Sequence, residues 1–311
     1  MLANLVRLAL AAELAAWTAL AAWLRARHGW SLPATVAGVA AGAAGARLVV
    51  IAATFCIAWF ARSPRAAGQR LGIAGTAVLV AGEWRAMLAN NFLWLPFERL
   101  VLRADPTPAP GARVPVILVH GYFSNRGTLT GLARALDAAG IGPVFVPTLP
   151  AIVAPIEDFA AHLERIVREV TEACGQPRAI LVCHSMGGLI ARTYLSTHGT
   201  QRVAGLVTLG SPHHGSVLAA LGAGRNGAQM RPGSAFLGML ARAEGEKGPG
   251  CATLSISTAH DNLVAPQESS RLHWARNETI HGVGHLAMLL DARVHRAVLD
   301  ELARLGARPA R

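Results

Sequence analysis

Two long apolar segments in the first 60 residues constrain the fold of this 311-residue chain most strongly. Leu8 to Leu24 contains Glu13 as its only charged residue, and Thr35 to Phe60 contains only Arg47. Each segment is close to the ~20 apolar residues that an α-helix needs to cross a bilayer. We therefore expect two membrane-spanning helices. The alternatives are a pair of buried helices in a soluble protein and, for the first segment, a signal peptide cleaved near Ala19 to Ala21.

A third apolar run is shorter, covering Leu71 to Gly82 and ending at Glu83-Trp84-Arg85. Its twelve residues are too few to cross a bilayer comfortably, which favours a helix that lies at the interface or packs on the protein. Burying Glu83 and Arg85 in a third span would cost roughly 2.5–3.5 kcal/mol each. We therefore expect two spans, which return the chain to the side on which it started.

The arginines beside the two spans do not assign a membrane face to the rest of the chain. Positively charged loops favour the cytoplasm. Arg62, Arg65 and Arg70 follow the second span, whereas Arg25 and Arg27 lie between the spans. Arg7 and the amino terminus add to the side of the first three, but the bias remains small, so the sequence leaves both faces open.

Charge and cysteine content argue against two other classes of protein. The net charge of +11 comes from scattered arginines, with Lys247 the single lysine, and these form no basic stripe suited to a nucleic acid. Cys56, Cys174, Cys183 and Cys251 contain no CxxC pair, which argues against zinc or a disulfide framework. One bridge, between Cys174 and Cys251, is left open. We expect no nucleic-acid partner.

Beyond residue 102 the pattern changes to alternating short elements. Residues 103–112 are rich in proline and lack apolar periodicity, which predicts a linker. After it, short and continuously apolar strands alternate with helices, as in a parallel sheet covered on both faces. The predicted strands are Val114–Val119, Val144–Pro147, Ile180–Cys183, Val203–Leu209, Thr253–Ser257 and Glu278–His281. The predicted helices are Leu129–Ala139, Ile156–Cys174, Gly188–Thr197 and Ala292–Leu305.

The third predicted strand runs into the turn Cys183-His184-Ser185-Met186-Gly187 and then into a helix. A serine hydroxyl is a poor nucleophile unless a base takes its proton. A tight strand-to-helix turn lifts the serine clear of the sheet and directs the next backbone N–H, that of Met186, at a developing oxyanion. Cysteine replaces the first glycine of the G-x-S-x-G pattern and is small enough for the turn. An ordinary helix N-cap serine is the alternative.

Two further parts of such a site follow the first and fifth predicted strands. His120-Gly121 ends the first strand, and the Tyr122 N–H is placed to donate alongside that of Met186. His120 itself is expected to be structural. Asp261 lies just beyond the fifth strand and is the candidate acid. A turn formed by Asp261 and the asparagine after it is the alternative interpretation.

A histidine after the last strand completes the set. The segment ETIHGVGHLAML offers His281 and His285, and we favour His285 because the glycines before it form a loop that can bring the imidazole over the serine. The order Ser185, Asp261, His285 is the chain order of the α/β-hydrolase fold. In that arrangement the histidine acts as general base and then general acid, the aspartate fixes its tautomer, and two backbone N–H groups hold the oxyanion.

Five motifs in this order carry a family resemblance. HGYFSN, CHSMGG, TLGSPHHGS, QMRPGSAFLGML and ARNETIHGVGHLAML together resemble the bacterial lipases of the α/β-hydrolase superfamily, and the last is similar to the small secreted Bacillus lipases. The resemblance covers roughly residues 113–305. It implies a Ser185–Asp261–His285 triad, Tyr122 and Met186 as oxyanion donors, and carboxylic-ester substrates, often with long acyl chains.

The resemblance also places a cap over the site and argues against a metal. Such enzymes carry a cap or lid after the position of Pro212–Gly215, here about residues 216–250. Paired aspartates with the spacing of the larger lipases' calcium site are not evident, and Asp291 alone is not enough, so we expect neither metal nor cofactor. A helix with one buried face is an open alternative for part of the cap. The candidate acyl-pocket residues there are Met230, Phe236, Leu237, Met239 and Leu240.

The leading hypothesis is a serine esterase or lipase anchored in the bacterial inner membrane by more than one span. Residues 1–102 would form the helical membrane region and residues 113–311 an α/β-hydrolase domain acting on lipid or other acyl esters through an acyl-enzyme intermediate. The same triad serves thioesters, amides and acyl transfer to alcohols, and the sequence of the pocket does not separate these. A membrane scaffold built on a hydrolase fold without turnover is the alternative from another class. The sequence identifies no protein partner.

Overall fold

A computed structural model of the chain describes residues 1–111, 113–150 and 152–307. Its first 60 residues form two long helices, α1 (Leu2–His28) and α2 (Leu32–Phe60), which contact each other along their length. Gly29 ends α1 in the left-handed region, at a φ of 67°. Ser31 caps α2 by accepting a hydrogen bond from the Ala34 N–H. The two apolar segments therefore form a helical hairpin with a short connection.

The two charged residues of the apolar segments pair with each other inside the hairpin. Arg47 on α2 donates to the Glu13 carboxylate on α1, and Trp17 Nε1 donates to the same carboxylate at 3.2 Å. Gly42 faces Trp17, and a Cβ added at Gly42 would lie 2.7 Å from the indole ring. A glycine therefore permits this close approach of the two helices.

The outer faces of α1 and α2 are apolar and exposed. Among the described residues these are the two helices long and apolar enough to cross a membrane. Only 6% of the most apolar window of each is buried inside the protein, whereas a core helix of a soluble protein would be mostly buried. The exposed large side chains include Leu8, Leu14, Trp23, Val36, Val49, Trp59 and Phe60.

The third apolar run lies in α3 (Ile73–Ala89), which is longer than the run itself. The helix continues through Glu83, whose side chain is completely buried, and Trp84, whose Nε1 donates to Ala44 O on α2 at 2.8 Å. A π-helical turn, Asn90–Trp94, and the short α4 (Glu98–Val101) follow. The helix is therefore packed between α2 and the second half of the chain.

The second half contains a sheet of six parallel strands, as the sequence predicts. The order across the sheet is β2-β1-β3-β4-β5-β6, and every neighbouring pair is parallel. The observed bounds lie within two residues of the expected ones at each end, and β2 is the shortest strand with two residues. The strands are β1 (Val116–Val119), β2 (Val144–Phe145), β3 (Ala179–His184), β4 (Val203–Leu209), β5 (Ala252–Thr258) and β6 (Arg276–Ile280).

Helices cover both faces of this sheet, which confirms the predicted fold class. Ile117 and Leu181 point to the layer formed by α6 (Ile156–Ala173) and α7 (Met186–His198). Their strand neighbours Leu118 and Val182 point to the other layer, formed by α5 (Thr130–Ala138) and α10 (Ala292–Arg304). Because side chains alternate along a strand, a strand buried on both faces has to be continuously apolar. Between β4 and β5 lie α8 (Gly224–Gln229) and α9 (Ala235–Glu244).

The N-terminal helices and the sheet half are joined by buried polar contacts. Asn262 Nδ2 donates to Thr54 Oγ1 of α2 at 2.9 Å, and the Glu268 N–H donates to Ser63 Oγ, also at 2.9 Å. Residues 103–111 have no helix or strand, and Asp105 accepts a hydrogen bond from the Val146 N–H at 3.1 Å. The connection between the two halves therefore lies against the sheet half.

The cysteines are all free in the structure. The bridge that the sequence left open between Cys174 and Cys251 is not formed. Cys183 is completely buried at the end of β3, and this burial raises the pKa of its thiol. It therefore stays protonated and serves as a small apolar residue before the turn at Ser185.

A buried ion pair, which the sequence did not indicate, connects α7 to α9. Arg192 Nε donates to Glu244 Oε1 at 2.7 Å, and Arg192 Nη2 donates to Glu244 Oε2 at 2.5 Å. Arg192 Nη1 also donates to His213 O at 3.1 Å. Because both side chains are almost fully buried, each charge depends on the other for compensation.

Replacing Glu244 by alanine is therefore expected to destabilise the protein. The Glu244→Ala change leaves the Arg192 guanidinium buried and unpaired, which typically costs about 3–5 kcal/mol. The exposed Glu246 provides the control, because its replacement by alanine should change stability by less than about 0.5 kcal/mol. Thermal unfolding in detergent, followed by tryptophan fluorescence, measures the difference. Equal midpoints for the two variants would show that the pair contributes little.

Candidate active site

The carboxyl ends of five strands, β1 and β3 to β6, meet at one edge of the sheet and surround a cavity of about 300 Å³. The strand order reverses between β1 and β3, the position where open α/β sheets usually bind ligands. Residues that follow β1, β3 and β6 line the cavity together with the N-terminal helical region. The lining includes Gly121, Tyr122, Ser185 and His285 from the sheet half and Thr54 and Asn90 from the helices before it.

Ser185 lies in a strained turn between β3 and α7. Its φ is 56°, a conformation that costs a residue with a side chain of order 1–3 kcal/mol. The Ser185 N–H donates to Leu209 O on β4 at 2.8 Å, which holds the turn against the sheet. A Cβ added at Gly187 would lie 2.6 Å from Val119 O, and one added at Gly121 would lie 2.8 Å from Ser185 Cβ. The turn therefore requires glycine at both positions.

Asp261 and His285 form a buried pair beyond β5 and β6. His285 Nδ1 and Asp261 Oδ2 are 2.8 Å apart, and both residues are only 2% exposed. Asp261 Oδ1 accepts hydrogen bonds from the Leu263 and Val264 N–H groups at 2.8 and 2.7 Å. Asp261 thus forms a turn, which was the alternative to a role as the acid, and it contacts the histidine as well.

The surroundings of His285 raise the pKa of its imidazole. Burial lowers this pKa, but the Asp261 carboxylate, its hydrogen bond to Nδ1 and the charge of Glu83 together raise it above the ordinary value. The neighbouring His184 ring lies 4.7 Å away, and Nε2 of His184 donates to His285 O at 3.2 Å. Burial holds the pKa of His184 well below its ordinary value, so His184 stays neutral and adds no positive charge. His285 is therefore suited to hold a proton.

Ser185 and His285 face each other across the cavity rather than in direct contact. Both line it, but within the described residues no hydrogen bond joins Ser185 Oγ to the His285 ring. Hydrogen bonds of this kind are often long in the absence of substrate and tighten when it binds. With Nδ1–H directed at Asp261, Nε2 is the nitrogen left to accept a proton.

Met186 and Tyr122, the two candidate oxyanion donors, belong to the turn at Ser185 and to the loop after β1. Met186 is the first residue of α7, so its N–H has no partner within the helix and lies at the positive end of the helix dipole. Tyr122 follows Gly121, which contacts Ser185 directly. Tyr122 Oη donates to Ala223 O and accepts from the Ala223 N–H, both at 2.7 Å. The loop after β1 is therefore held beside the turn.

Two other histidines from the same motifs lie outside this arrangement. His281 is exposed directly after β6, whereas the loop that follows brings His285 to Asp261. His120 is buried, with Nε2 accepting from the Leu149 N–H at 3.0 Å. Burial lowers the pKa of His120 to about 4, so it is neutral and holds the loop after β2 in place. This geometry fits the structural role expected for it.

No group of three or more metal-binding side chains is found in the part of the chain that the structure describes. Asp291, the one aspartate considered for a metal, instead caps α10 and pairs with Arg293. Its Oδ1 accepts from the Arg293 N–H at 2.8 Å, and its Oδ2 accepts from Arg293 Nη2 at 2.7 Å. Its carboxylate is therefore occupied by contacts within the protein.

Only the first part of the predicted cap covers the cavity. Leu218, Ala219 and Met230 line it, from a 3₁₀ turn and from the end of α8. Three of the candidate acyl-pocket residues, all on α9, do not line the cavity in the part of the chain that the structure describes. They form one face of α9 and pack into the core against α6 and α7, as in the one-buried-face alternative. These residues are Phe236, Leu237 and Leu240.

Three residues that the sequence analysis did not identify surround the Asp261–His285 pair in the structure. Gly210 has a φ of 55°, and a Cβ there would lie 3.2 Å from both Asp261 Oδ2 and His285 Nδ1. Asn262 Oδ1 accepts the His285 N–H at 3.1 Å, and Glu83 contacts the residues after His285. A carboxylate at the end of an apolar run was the available signal for Glu83, since such a charge needs a partner.

Comparison with known proteins agrees with this architecture. A family model for the alpha/beta hydrolase fold matches residues 114–226, which contain β1 to β4 and the turn at Ser185. The match covers about a third of the chain, and together with the parallel sheet it shows that the chain has the α/β-hydrolase fold. The family resemblance seen in the motifs is thereby confirmed.

Curated relatives of the chain include a thioesterase and a lipase. The lysosomal thioesterase PPT2 of Rattus norvegicus is 29% identical over 144 residues, which are 43% of this chain and 46% of that protein. The triacylglycerol lipase of Pseudomonas fragi is 30% identical over 115 residues, which are 34% of this chain and 37% of that protein. The chain therefore matches less than half the length of either relative.

Solved structures of two lipases share the fold. Lipase B of Aspergillus fumigatus superposes with a TM-score of 0.56 at 19% identity, over 61% of this chain and 52% of that one. The mature lipase BlEst2 of Bacillus licheniformis superposes with a TM-score of 0.53 at 18% identity, over 66% of this chain and 96% of that one. The smaller enzyme is thus matched over nearly its whole length.

The raised pKa of His285 predicts the pH dependence of Ser185 reactivity. His285 has to be neutral to accept a proton, so reactivity falls as the pH drops through a midpoint above the ordinary value of 6.5. The rate of labelling by a fluorophosphonate probe, measured from pH 5 to pH 9, locates this midpoint. Replacing Asp261 by asparagine removes the charge that raises the pKa and should slow labelling and lower the midpoint. A wild-type midpoint at or below 6.5 would contradict this assignment.

Proposed function

We propose that the protein is a membrane-anchored serine hydrolase that cleaves carboxylic esters of acyl groups. The observation that carries this proposal is the strained Ser185 turn, which opens onto the same cavity as the buried His285–Asp261 pair. Relatives named as lipases and thioesterases, and the match to the alpha/beta hydrolase fold, support it. An intact set of nucleophile, acid, base and oxyanion loop argues against a scaffold without turnover.

The reaction we infer proceeds in two halves. Ser185 Oγ attacks the carbonyl carbon while His285 Nε2 takes its proton, and the N–H groups of Tyr122 and Met186 donate to the oxyanion. His285 then gives the proton to the leaving alkoxide as the C–O bond breaks, which leaves an acyl group on Ser185. A water molecule, deprotonated by His285, releases the acid and restores the serine. Asp261 holds the imidazole in the required tautomer throughout.

The chemistry of the cavity supports an acyl group as the substrate part that is bound. Apolar side chains line most of it, and polar side chains such as Thr54, Asn90 and Ser216 line the rest. Phe123 and Leu221 are among the lining residues that remain exposed, at 41% and 73%. An apolar opening of this kind suits a substrate delivered from a lipid surface. The apolar lining includes Leu218, Ala219, Met230, Leu263 and Val264.

A thioester is the second candidate, because the thioesterase PPT2 is among the relatives. The attack on the carbonyl is the same for both substrates. A thiol leaving group is a far weaker base than an alcohol, so its departure depends less on protonation by His285. Comparing acyl-coenzyme A with the p-nitrophenyl ester of the same acid separates the two, and adding an alcohol tests acyl transfer.

We propose further that residues 1–102 anchor the enzyme and that residues 113–311 form its catalytic domain, with 103–112 as the linker. The length, composition and exposed apolar faces of α1 and α2 support two spans. The sheet half contacts the last third of α2 through Thr54 and Ala58, which would hold the cavity near the membrane surface. The similarity to bacterial lipases supports a bacterial inner membrane as the location.

Replacing Ser185 by alanine tests the proposed chemistry. We expect Ser185→Ala to abolish fluorophosphonate labelling and hydrolysis of p-nitrophenyl butyrate and palmitate, with an unchanged thermal midpoint. Loss of the His285 imidazole should lower kcat by roughly 10⁴-fold or more. His281→Ala is the matched control and should leave turnover unchanged, because His281 is exposed outside the cavity. Activity lost in the His281 variant and kept in the His285 variant would overturn the assignment of the base.

Fractionation of cells tests the membrane anchor. We expect the full-length protein to pellet with membranes and to resist extraction with alkaline carbonate, because α1 and α2 expose apolar faces that lipid would cover. A peripheral protein of the same membrane, released by carbonate, serves as the control. Full-length protein in the soluble fraction would contradict the anchor, and protease protection in spheroplasts would assign the catalytic domain to one face.

A further inference from the structure

The Glu83 carboxylate lies against the loop that carries His285. Glu83 is on α3, and its side chain is completely buried. Its Oε1 accepts the Leu286 N–H at 2.9 Å, and its Oε2 accepts the Ala287 N–H at 2.9 Å. Leu286 N is also 3.1 Å from Oε2. The helical region before the sheet therefore holds the two residues directly after the histidine.

A buried carboxylate at this position is costly unless it has a specific partner. Removing a charge from water carries a large penalty, which hydrogen bonds to the charged form offset in part. Two backbone N–H groups supply these bonds, and both carboxylate oxygens act as acceptors. An apolar side chain at position 83 would match the other residues of α3 without this desolvation cost. Glu83 therefore makes a specific contact with the loop after His285, which differs from nonspecific apolar packing between the two halves.

The loop has the shape that this contact requires. Gly284 precedes His285, and a Cβ added at Gly284 would lie 2.7 Å from Glu83 Cδ. Any larger residue there would displace the carboxylate or the loop. The glycine therefore permits the carboxylate to approach the backbone beside the histidine.

A second side chain, that of Asn262, connects the same loop to helix α2. Asn262 Oδ1 accepts the His285 N–H at 3.1 Å, and Asn262 Nδ2 donates to Thr54 Oγ1 of α2 at 2.9 Å. Three consecutive backbone N–H groups, from His285 to Ala287, are thus held by side chains that belong to α3 or are tied to α2. The position of the imidazole depends on both contacts.

We propose that Glu83 is a positioning residue for His285, and that the N-terminal helices thereby complete the active site as well as anchoring it. The role rests on the proposed function, because His285 needs a fixed position only if it transfers protons. Glu83 acts through the backbone of Leu286 and Ala287, which keeps the imidazole between Asp261 and Ser185. A displacement of about 1 Å of a catalytic group can cost roughly 10²-fold in rate.

Glu83 also contributes to the electrostatic surroundings of the base. The charged and titratable groups that face His285 are Asp261, His184 and Glu83. Burial raises the pKa of the Glu83 carboxyl, the two backbone donors and His285 oppose this, and Asp261 adds to it. The charge of Glu83 favours the protonated form of His285. Removing the charge should therefore lower the pH at which His285 loses its proton.

The test uses the full-length protein in detergent and compares three variants. Glu83→Gln keeps the shape and one acceptor oxygen but removes the charge, so the acid limb of kcat/KM should move to lower pH. Glu83→Ala removes both acceptors, and kcat should fall about 10²-fold while KM changes little. Ser63→Ala is the matched control: it removes an acceptor for the Glu268 N–H at the same interface, far along the chain from the His285 loop. We expect it to leave kcat and the acid limb unchanged.

The results distinguish a failure of the Glu83 proposal from a failure of the proposed hydrolase function. If Glu83→Ala retained the wild-type kcat, Glu83 would have no positioning role, and if Glu83→Gln retained the wild-type acid limb, the charge of Glu83 would not act on His285. If Ser63→Ala changed kcat and the acid limb as much as the Glu83 variants did, a loosened interface would explain the effect and the proposal would be overturned. Should Glu83→Ala fail to fold, the nearly isosteric glutamine variant still decides. A wild-type protein that reacts with neither probe nor ester would overturn the proposed function itself.

Discussion

The conformation of Ser185 is the constraint to which the surrounding structure is fitted. A residue with a side chain is held at a φ of 56°, at a cost of order 1–3 kcal/mol, by a hydrogen bond to Leu209 O and by the start of α7 in the next residue. Gly121 and Gly187 pass so close to the turn that a Cβ at either would collide with it. Such strain persists only in rigid surroundings, and the fully buried strands β1, β3 and β4 supply them.

A second constraint is the burial of charge beside this turn. Asp261 and Glu83 bring two carboxylates to the same histidine, and each carboxylate accepts two backbone N–H groups. In a water-poor site these bonds are stronger than in water, and an unpaired group would be correspondingly costly. The same carboxylates raise the pKa of His285. The same two carboxylates therefore stabilise the loop and raise the proton affinity of the base. One of them, Glu83, lies in the helical region.

Local patterns in the sequence predicted most of the fold. All six strands form close to where the sequence predicts them. Strands β1, β3 and β4 are mainly apolar because they are buried on both faces, whereas β6, at the edge of the sheet, is polar and partly exposed. The limits of this reasoning appear at α9. Phe236, Leu237 and Leu240 show by their spacing that the helix has one apolar face, but spacing carries no information about what that face contacts. In the structure it contacts the core, and the cavity is lined by the segment before it.

The sequence by itself determined the order of the elements and the neighbourhood of Ser185, Asp261 and His285, because parallel strands bring their carboxyl ends to one edge and each residue follows a strand. Tertiary structure alone decided that α2 and α3 take part in the site. Glu83 and Leu286 are separated by 203 positions, and no periodicity extends over such a distance. Whether a carboxylate in an apolar helix faces lipid, solvent or a histidine loop depends on how the helix packs, and packing is a property of the folded chain.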